Sequence, residues 1–133
     1  MSRCKFTIIT VCYNAEEYIE NTIKSVLRQS YRDIEYIIKD GQSVDGTMAI
    51  VRNLTDNDNR VIISQGKDRG IYDAMNIAVK AADGEYILFL NAGDIFADEN
   101  VLKKIVDFET DRKADMYYGN IIEVDGKSRQ LRI

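Results

Sequence analysis

The feature that most constrains the fold of this chain is a regular alternation between apolar runs and helical patterns. Apolar runs occupy residues 6–11, 34–39 and 86–90, and a shorter one covers residues 61–64. Runs with so few polar interruptions are typical of parallel strands that are covered on both faces. Alternation of such strands with helices predicts an α/β fold in which three layers, α/β/α, enclose a mostly parallel sheet.

Helices are predicted in the intervals between these runs. The clearest one has apolar residues at helical spacing, namely Ile71, Ala74, Met75, Ala78, Val79 and Ala82. Its end is predicted at Asp83 and Gly84, because a glycine suits the left-handed position that closes many helices. Asn14 is predicted to cap an earlier helix, and two further helices are expected at residues 47–54 and 98–108.

The last part of the chain has the pattern of a β-hairpin. A strand is predicted at residues 116–124, a tight turn at Asp125 and Gly126, and a short strand near residues 129–133. With 133 residues and 45% hydrophobic content, the chain is long enough for one core and too short for two ordinary ones. We therefore expect a single domain over residues 1–133.

Charge and residue types exclude several classes of function. A net charge of −4 without a basic cluster argues against binding to nucleic acid or anionic membrane. No apolar run approaches the roughly 20 residues of a transmembrane helix. Cys4 and Cys12 would lie roughly 27 Å apart on an extended strand, so they are expected to be reduced thiols of a cytoplasmic protein. Because the chain has no histidine, its chemistry has to use carboxylates, hydroxyls, Arg, Lys or a divalent cation such as Mg²⁺ or Mn²⁺.

Polar side chains follow three of the predicted strands, at the point where each strand ends. Tyr13 and Asn14 follow the first, Asp40 follows the second, and Asn91 and Asp94 follow the last of the apolar runs. The carboxyl ends of parallel strands meet at one edge of a sheet, where α/β proteins bind their ligands. The alternative is that each Asp or Asn merely caps the next helix. The repetition at three strand ends favours a site.

The loops lack the signatures of several common α/β proteins. The turn after the first run reads CYNAEE rather than GxGxxG, and neither a P-loop nor a GxSxG sequence occurs. The sequence therefore does not indicate a Rossmann-type dinucleotide site, a P-loop NTPase or an α/β-hydrolase.

Three segments in order resemble a known family: TIITVCYNAEEYIENTIKSVLRQSY, IEYIIKDGQSVDGT and DRGIYDAMNIAVKAADGEYILFLNAGD. They look very much like the nucleotide-sugar half of family 2 glycosyltransferases, which have the GT-A fold and build bacterial polysaccharides. The resemblance covers residues 5–122. It implies transfer of a sugar, with inversion, from a nucleoside diphosphate sugar donor to a saccharide or lipid-linked glycan acceptor.

The resemblance implies donor-binding roles for residues after the first two strands. The positions carried over are Val11, Tyr13, Glu16, Asp40, Gly41 and Ser43. Tyr13 offers a ring beside the base, and Asp40 stands where the family reads the base, since a carboxylate can accept the imide N–H of uracil or thymine. The alternatives are that Tyr13 packs on the first helix and that Asp40 and Ser43 serve as turn or capping residues.

Phosphate and metal positions follow from the same resemblance. Arg69 falls in the family's third loop, where a guanidinium and helix N–H groups suit a diphosphate; the alternative is a solvated surface pair with Asp68. The NAGD sequence stands where the family often has an acidic DxD-type cluster, so Asn91 is expected beside the donor and Asp94 is the expected metal ligand. Asn91 and Gly93 replace two of the acids, but Mg²⁺ or Mn²⁺ needs only one or two carboxylates once phosphate oxygens are present.

Other functions remain open at this point. In the family the catalytic base lies after these segments, so no catalytic residue is assigned, and we expect the chain to lack the acceptor-binding C-terminal part. A noncatalytic nucleotide-sugar-binding module is therefore the main alternative. A signalling receiver domain is more remote, because CYN is not acidic and MYYGN has no suitable lysine. The expected location is the cytoplasm, peripheral at the inner face of the membrane, and no oligomeric state is predicted.

Overall fold

The structure is a computed structural model that describes residues 4–111 and two short strands further on. In chain order the elements are β1 (Phe6–Cys12), α1 (Ile19–Leu27), β2 (Ile34–Asp40), α2 (Thr47–Thr55), β3 (Val61–Gln65), α3 (Ile71–Ala81), β4 (Tyr86–Phe89), α4 (Val101–Asp111), β5 (Glu123–Val124) and β6 (Gln130–Leu131). The predicted alternation of strands and helices is confirmed over residues 4–111.

The first four strands form one parallel sheet in the order β3-β2-β1-β4. At its carboxyl edge, Cys12 of β1 pairs with Asp40 of β2, and Asp40 pairs with Gln65 of β3. Beyond the end of β4, the backbone N–H of Ala92 donates to the carbonyl of Val11 at 3.2 Å. The loops that follow β1, β2 and β4 are thereby brought to the same edge.

Hydrophobic side chains cover both faces of this sheet. On one face, Ile8 belongs to a buried cluster with Ile23 of α1 and Leu102 of α4, which also includes residues of α2. On the other face, Ile9 belongs to a cluster with Ala78 of α3. Full burial of an Ile or Leu side chain contributes about 1.5–3 kcal/mol, so these clusters hold the helices against the sheet. The predicted three-layer α/β/α arrangement is confirmed.

Two predictions about helix ends are wrong. Helix α1 begins at Ile19 without a side-chain cap, and Asn14 instead has a φ of 48° and accepts a hydrogen bond from the backbone N–H of Val44 at 2.9 Å. Helix α3 ends in extended backbone at Ala82, and Gly84 does not have a positive φ. Gly84 is needed for another reason, because a Cβ there would lie 2.7 Å from the backbone carbon of Phe6.

The predicted hairpin lies only partly within the described residues. Strands β5 and β6 pair antiparallel, with Glu123 opposite Leu131. The predicted turn at Asp125 and Gly126 and most of the predicted strand at 116–124 lie outside the described residues. Among the described helices, none is long and apolar enough to cross a membrane.

Candidate functional site

The loops after β1 and β2 are joined by Ser43. The carboxylate of Asp40 accepts hydrogen bonds from the backbone N–H of Ser43 at 2.8 Å and from its hydroxyl at 2.5 Å. The Ser43 hydroxyl oxygen also accepts from the backbone N–H of Asn14 at 2.8 Å. Since Asn14 in turn accepts from the N–H of Val44, the two loops hold each other in one arrangement.

A second set of hydrogen bonds joins the same loops at the start of α2. The carboxylate of Glu16 accepts from the backbone N–H of Gly46 at 2.8 Å, and the hydroxyl of Thr47 accepts from the N–H of Ala15 at 2.8 Å. Asp45 accepts from both the N–H and the hydroxyl of Thr47, and the hydroxyl bond is the main cause that holds the pKa of Asp45 below its ordinary value. The carboxylate of Glu16 is thus hydrogen-bonded to the backbone of the loop after β2.

Asp40 lies at the end of β2 and is fully buried. Besides Ser43, its carboxylate accepts from the amide of Gln65 at 3.4 Å and from the thiol of Cys12 at 3.6 Å. Burial, followed by the charge of Asp40, raises the pKa of the Cys12 thiol from 9.0 to about 12, so this thiol remains protonated. The four acceptor positions of the carboxylate are thus all used within the protein, and the contact with Gln65 is long for a hydrogen bond from nitrogen.

Gly41 directly follows β2 and lies close to the side chains of Asp68 and Tyr13. A Cβ at Gly41 would lie 2.9 Å from a carboxylate oxygen of Asp68 and 3.4 Å from the ring of Tyr13. Tyr13 is 61% exposed, so most of its surface faces solvent. Glycine at position 41 allows the ring and the carboxylate to approach the same stretch of backbone.

Lys39 is a buried residue of β2 that hydrogen-bonds to the backbone and to Asp68 in this region. Its side chain is 2% exposed, and its ammonium group donates to the carbonyls of Asp40 and Gly66 at 3.0 and 2.7 Å and to the carboxylate of Asp68 at 3.3 Å. The other oxygen of Asp68 accepts from the backbone N–H of Gly70 at 3.0 Å. One buried lysine therefore links the end of β2 to the segment that leads into α3.

Arg69 lies in that segment with an exposed side chain. Its backbone N–H donates to the carboxylate of Asp73 at 2.8 Å, which fixes the residue against the first turn of α3. Gly70 precedes the helix with a φ of 121°, and no side chain caps the helix start. Arg69 thus stands directly before Gly70 and the start of α3, where the first N–H groups of the helix are of the kind that bind anions.

The NAGD segment is held by β1 and α1. The side-chain oxygen of Asn91 accepts from the backbone N–H of Val11 at 3.2 Å, and the hydroxyl of Thr22 accepts from the N–H of Gly93 at 3.0 Å. Gly93 has a φ of 101°, a conformation in which glycine is favoured. The N–H of Asp94 donates to the carbonyl of Asn91 at 2.8 Å, and residue 94 is exposed.

The structure brings the predicted site residues together to different degrees. Tyr13, Gly41, Asp40 and Ser43 form one connected group, and Asn91 contacts Val11 at the neighbouring strand end. Arg69 and Asp94 lie in loops at the same edge, and within residues 4–111 their side chains make no hydrogen bond or ion pair with this group.

Sequence reasoning missed three contributors to the site. Lys39 is visible in the sequence as the only charged residue between Tyr36 and Asp40, which is a signal for a buried, paired charge. Gln65 and Thr22 gave no such signal, because they reach the site only through strand pairing and helix packing.

The described residues contain no cluster of three or more Cys, Asp and Glu side chains that suits a metal ion. Asp94 alone provides one exposed carboxylate at the end of β4. Mg²⁺ and Mn²⁺ accept such a site when phosphate oxygens and water complete the shell. A cation at Asp94 would therefore have to take most of its ligands from a diphosphate and from water.

The fold is that of GT-A glycosyltransferases. TarS from S. aureus, solved with UDP-GlcNAc, superimposes with a TM-score of 0.77 and 30% identity over 84% of this chain and 32% of that chain. The mannosyltransferase PcManGT from Pyrobaculum calidifontis, solved with GDP-Man and Mn²⁺, gives a TM-score of 0.73 and 25% identity over 84% of this chain and 34% of that chain. The expected fold class is confirmed.

The chain belongs to glycosyl transferase family 2, whose profile it matches over residues 7–133. An uncharacterized glycosyltransferase of Haemophilus influenzae is 35% identical over 96% of this chain and 51% of its own length. The Escherichia coli UDP-Glc:alpha-D-GlcNAc-diphosphoundecaprenol beta-1,3-glucosyltransferase WfaP is 35% identical over 90% of this chain and 47% of its own length. The chain thus spans about half the length of these curated relatives.

Proposed function

We propose that this chain is the donor-binding domain of a glycosyltransferase that takes a sugar from a nucleoside diphosphate sugar and adds it to a glycan acceptor. The observation that supports this most directly is the group formed by the exposed ring of Tyr13, Gly41 and the buried carboxylate of Asp40 at the carboxyl edge of the sheet. Solved relatives of the same fold bind UDP-GlcNAc and GDP-Man.

In the proposed complex the base lies against Tyr13 and reaches Asp40. The aromatic ring covers one face of the base, and the imide N–H of a uracil replaces the long contact from Gln65 to the Asp40 carboxylate. The hydrogen bonds from Ser43 remain, so the carboxylate stays oriented toward the site. Gln65 is the donor displaced, because its contact is the longest made to Asp40 by a nitrogen or oxygen donor.

The diphosphate is proposed to lie between Arg69 and Asp94. The guanidinium of Arg69 and the first N–H groups of α3 provide donors for the phosphate oxygens. Asp94 is the proposed ligand of a divalent cation, and Asn91 holds the end of β1 beside it. When bound, such a cation would offset negative charge on the leaving diphosphate.

In the proposed reaction an acceptor hydroxyl attacks the anomeric carbon of the sugar, and the bond from that carbon to the diphosphate oxygen breaks with inversion. The residues of this chain hold and orient the donor, and none of them is assigned as the base that removes the hydroxyl proton. A lipid-linked glycan is the proposed acceptor, by analogy with the diphosphoundecaprenol acceptor in the name of WfaP. The proposed location is the cytoplasm, at the inner face of the membrane.

The experiment that tests this function is a calorimetric titration of the chain with UDP, GDP and dTDP, with and without Mn²⁺, followed by an assay for sugar transfer or donor hydrolysis. Binding of one of the three nucleotides is the expected result for a donor-binding domain, and turnover of the matching nucleotide sugar would show that this chain also carries the catalytic residues. Binding without turnover would also fit the alternative, a noncatalytic nucleotide-sugar-binding module, which the replacement of acids by Asn91 and Gly93 favours. Failure to bind any of the three nucleotides would refute both.

A further inference from the structure

Lys39 is a buried charge that the proposed function has not used. It lies within β2, where the neighbouring Ile38 is fully buried, and its own side chain is 2% exposed. An ammonium group in such surroundings is costly unless its protons are hydrogen-bonded. The Lys39 ammonium donates to the carbonyls of Asp40 and Gly66 and to the carboxylate of Asp68, which accounts for all three protons.

Stability alone is a poor explanation for this ion pair. Replacement of a buried pair by apolar side chains of similar volume is often neutral or stabilising, because two charges no longer have to be desolvated. The location of the pair suggests another reason for it. One carboxylate oxygen of Asp68 lies close to Gly41 in the proposed donor site. The other accepts a hydrogen bond from the backbone N–H of Gly70, the residue that precedes α3.

A lone carboxylate at this place would oppose the proposed function. Asp68 precedes Arg69, and an unpaired negative charge beside a diphosphate would repel it. The ammonium of Lys39 cancels that charge at 3.3 Å while the carboxylate still holds the N–H of Gly70.

We propose that Lys39 is a positioning residue for the donor diphosphate. Its ammonium neutralises Asp68 and ties residues 66–70 to the end of β2, so that Arg69 and the start of α3 face the phosphates. The inference rests on the proposed function, because it places the diphosphate beside Arg69.

The test compares UDP with uridine, which lacks the phosphates, by calorimetry on the full chain. In Lys39→Met the affinity for UDP should fall about ten-fold, because the negative charge of Asp68 is then no longer neutralised and repels the phosphates. The affinity for uridine should change by less than about two-fold, since Tyr13 and Asp40 are retained. Lys39→Arg, which keeps the charge, should recover most of the UDP affinity. Lys67→Met is the matched control, because Lys67 is an exposed lysine in the same segment, and it should leave the UDP-to-uridine ratio within about two-fold.

Two variants of Asp68 keep the test decisive if Lys39→Met does not fold. Asp68→Asn removes the negative charge and leaves the ammonium in place, so the UDP-to-uridine affinity ratio should rise about three-fold or more. In the double variant K39M/D68N both charges are absent, and the ratio should return to within about three-fold of the wild-type value.

Several results would overturn the inference. They are an unchanged affinity ratio in folded Lys39→Met, equal losses for UDP and uridine, and an unchanged or lower ratio in Asp68→Asn. In each of these cases the wild-type chain still binds UDP, so the proposed function stands. If the wild-type chain binds none of UDP, GDP and dTDP, both proposals fail together.

Discussion

The side chain of Asp40 combines full burial with a position at the end of a strand. Carboxylates are rarely buried unless they are paired or hydrogen-bonded, and Asp40 receives its hydrogen bonds from Ser43, Gln65 and Cys12. The same carboxylate therefore orders the loop after β2 and is proposed to read the base. The sequence left two alternatives for Asp40, a turn residue or a residue that reads the base, and one carboxylate can have both roles.

We predict that Asp40→Ala weakens binding of UDP by about 1–3 kcal/mol, because a charged hydrogen-bond acceptor is lost. Calorimetry on the folded variant measures this, and circular dichroism confirms the fold. Asp56→Ala is the control, since Asp56 is an exposed aspartate at the end of α2 away from the site. Unchanged UDP affinity in folded Asp40→Ala would remove Asp40 from the site.

Gln65→Leu should leave the affinity for uridine unchanged or raised, because the base then no longer has to displace the Gln65 amide from Asp40.

A second prediction concerns Asp94. In Asp94→Ala the gain in UDP affinity that Mn²⁺ gives the wild-type chain should disappear, because the proposed protein ligand of the cation is lost. The measurement is a pair of UDP titrations, with Mn²⁺ and with a chelator. Asp107→Ala, an exposed acid on α4, should retain the whole gain. Retention of the gain in Asp94→Ala would show that other residues hold the cation.

At the scale of elements, the close approach of the segment before β4 to β1 depends on Gly84. Gly84 is buried, and its backbone N–H donates to the hydroxyl of Thr7 at 2.8 Å. A Cβ there would lie 2.6 Å from that hydroxyl and 2.7 Å from the backbone carbon of Phe6. Since β1 is fixed between β2 and β4, its backbone has little room to move away.

We therefore predict that Gly84→Ala lowers the free energy of unfolding by about 3 kcal/mol, as overpacking against backbone does. Urea denaturation followed by circular dichroism measures the change. Gly66→Ala is the matched control, because a Cβ at Gly66 would meet nothing within 4 Å. It should change stability by less than about 0.5 kcal/mol. Equal stability of the two variants would mean that the segment before β4 can move away from β1.

At the scale of the whole molecule, the stability of the fold depends on carboxylates that are hydrogen-bonded in the folded state. Asp58 accepts a two-point contact from Arg60, and that side-chain bond is the first cause that lowers the pKa of Asp58. The pKa values of Asp45 and Asp98 are lowered too, mainly by the Thr47 hydroxyl and the N–H of Asn100 respectively. Acid should therefore weaken the fold.

The sign follows from linkage. The folded-state pKa of each group lies below its unfolded value of 3.8, so the stability it contributes is complete above that pH and is lost as the pH falls toward the folded value. We predict a lower free energy of unfolding at pH 3 than at pH 5, measured by urea titration. The loss should be smaller in Asp58→Asn. Asp56→Asn should behave like wild type, because Asp56 is exposed and its side chain has no hydrogen-bond partner in the described part of the chain. An identical loss in Asp58→Asn would exclude Asp58 as a cause.

Most of the fold follows from patterns that are local in the sequence. The strands, the helix α3 and the convergence of polar strand ends were predictable because hydrophobic periodicity and strand direction determine them. The position of Asn14 was not, because a residue 30 positions away determines its hydrogen bond. Lys39 and Asp68 likewise meet across 29 positions, and only after β2 and β3 have paired. Distant partners of this kind require the tertiary structure.

The hydrogen bonds through Ser43 and Thr47 have a consequence for the thermodynamics of ligand entry. Because the loops after β1 and β2 are already ordered by each other, a nucleotide does not have to fold them on arrival. The heat-capacity change of association should then match the apolar area of the ligand and its immediate contacts, without the large negative excess that coupled folding produces.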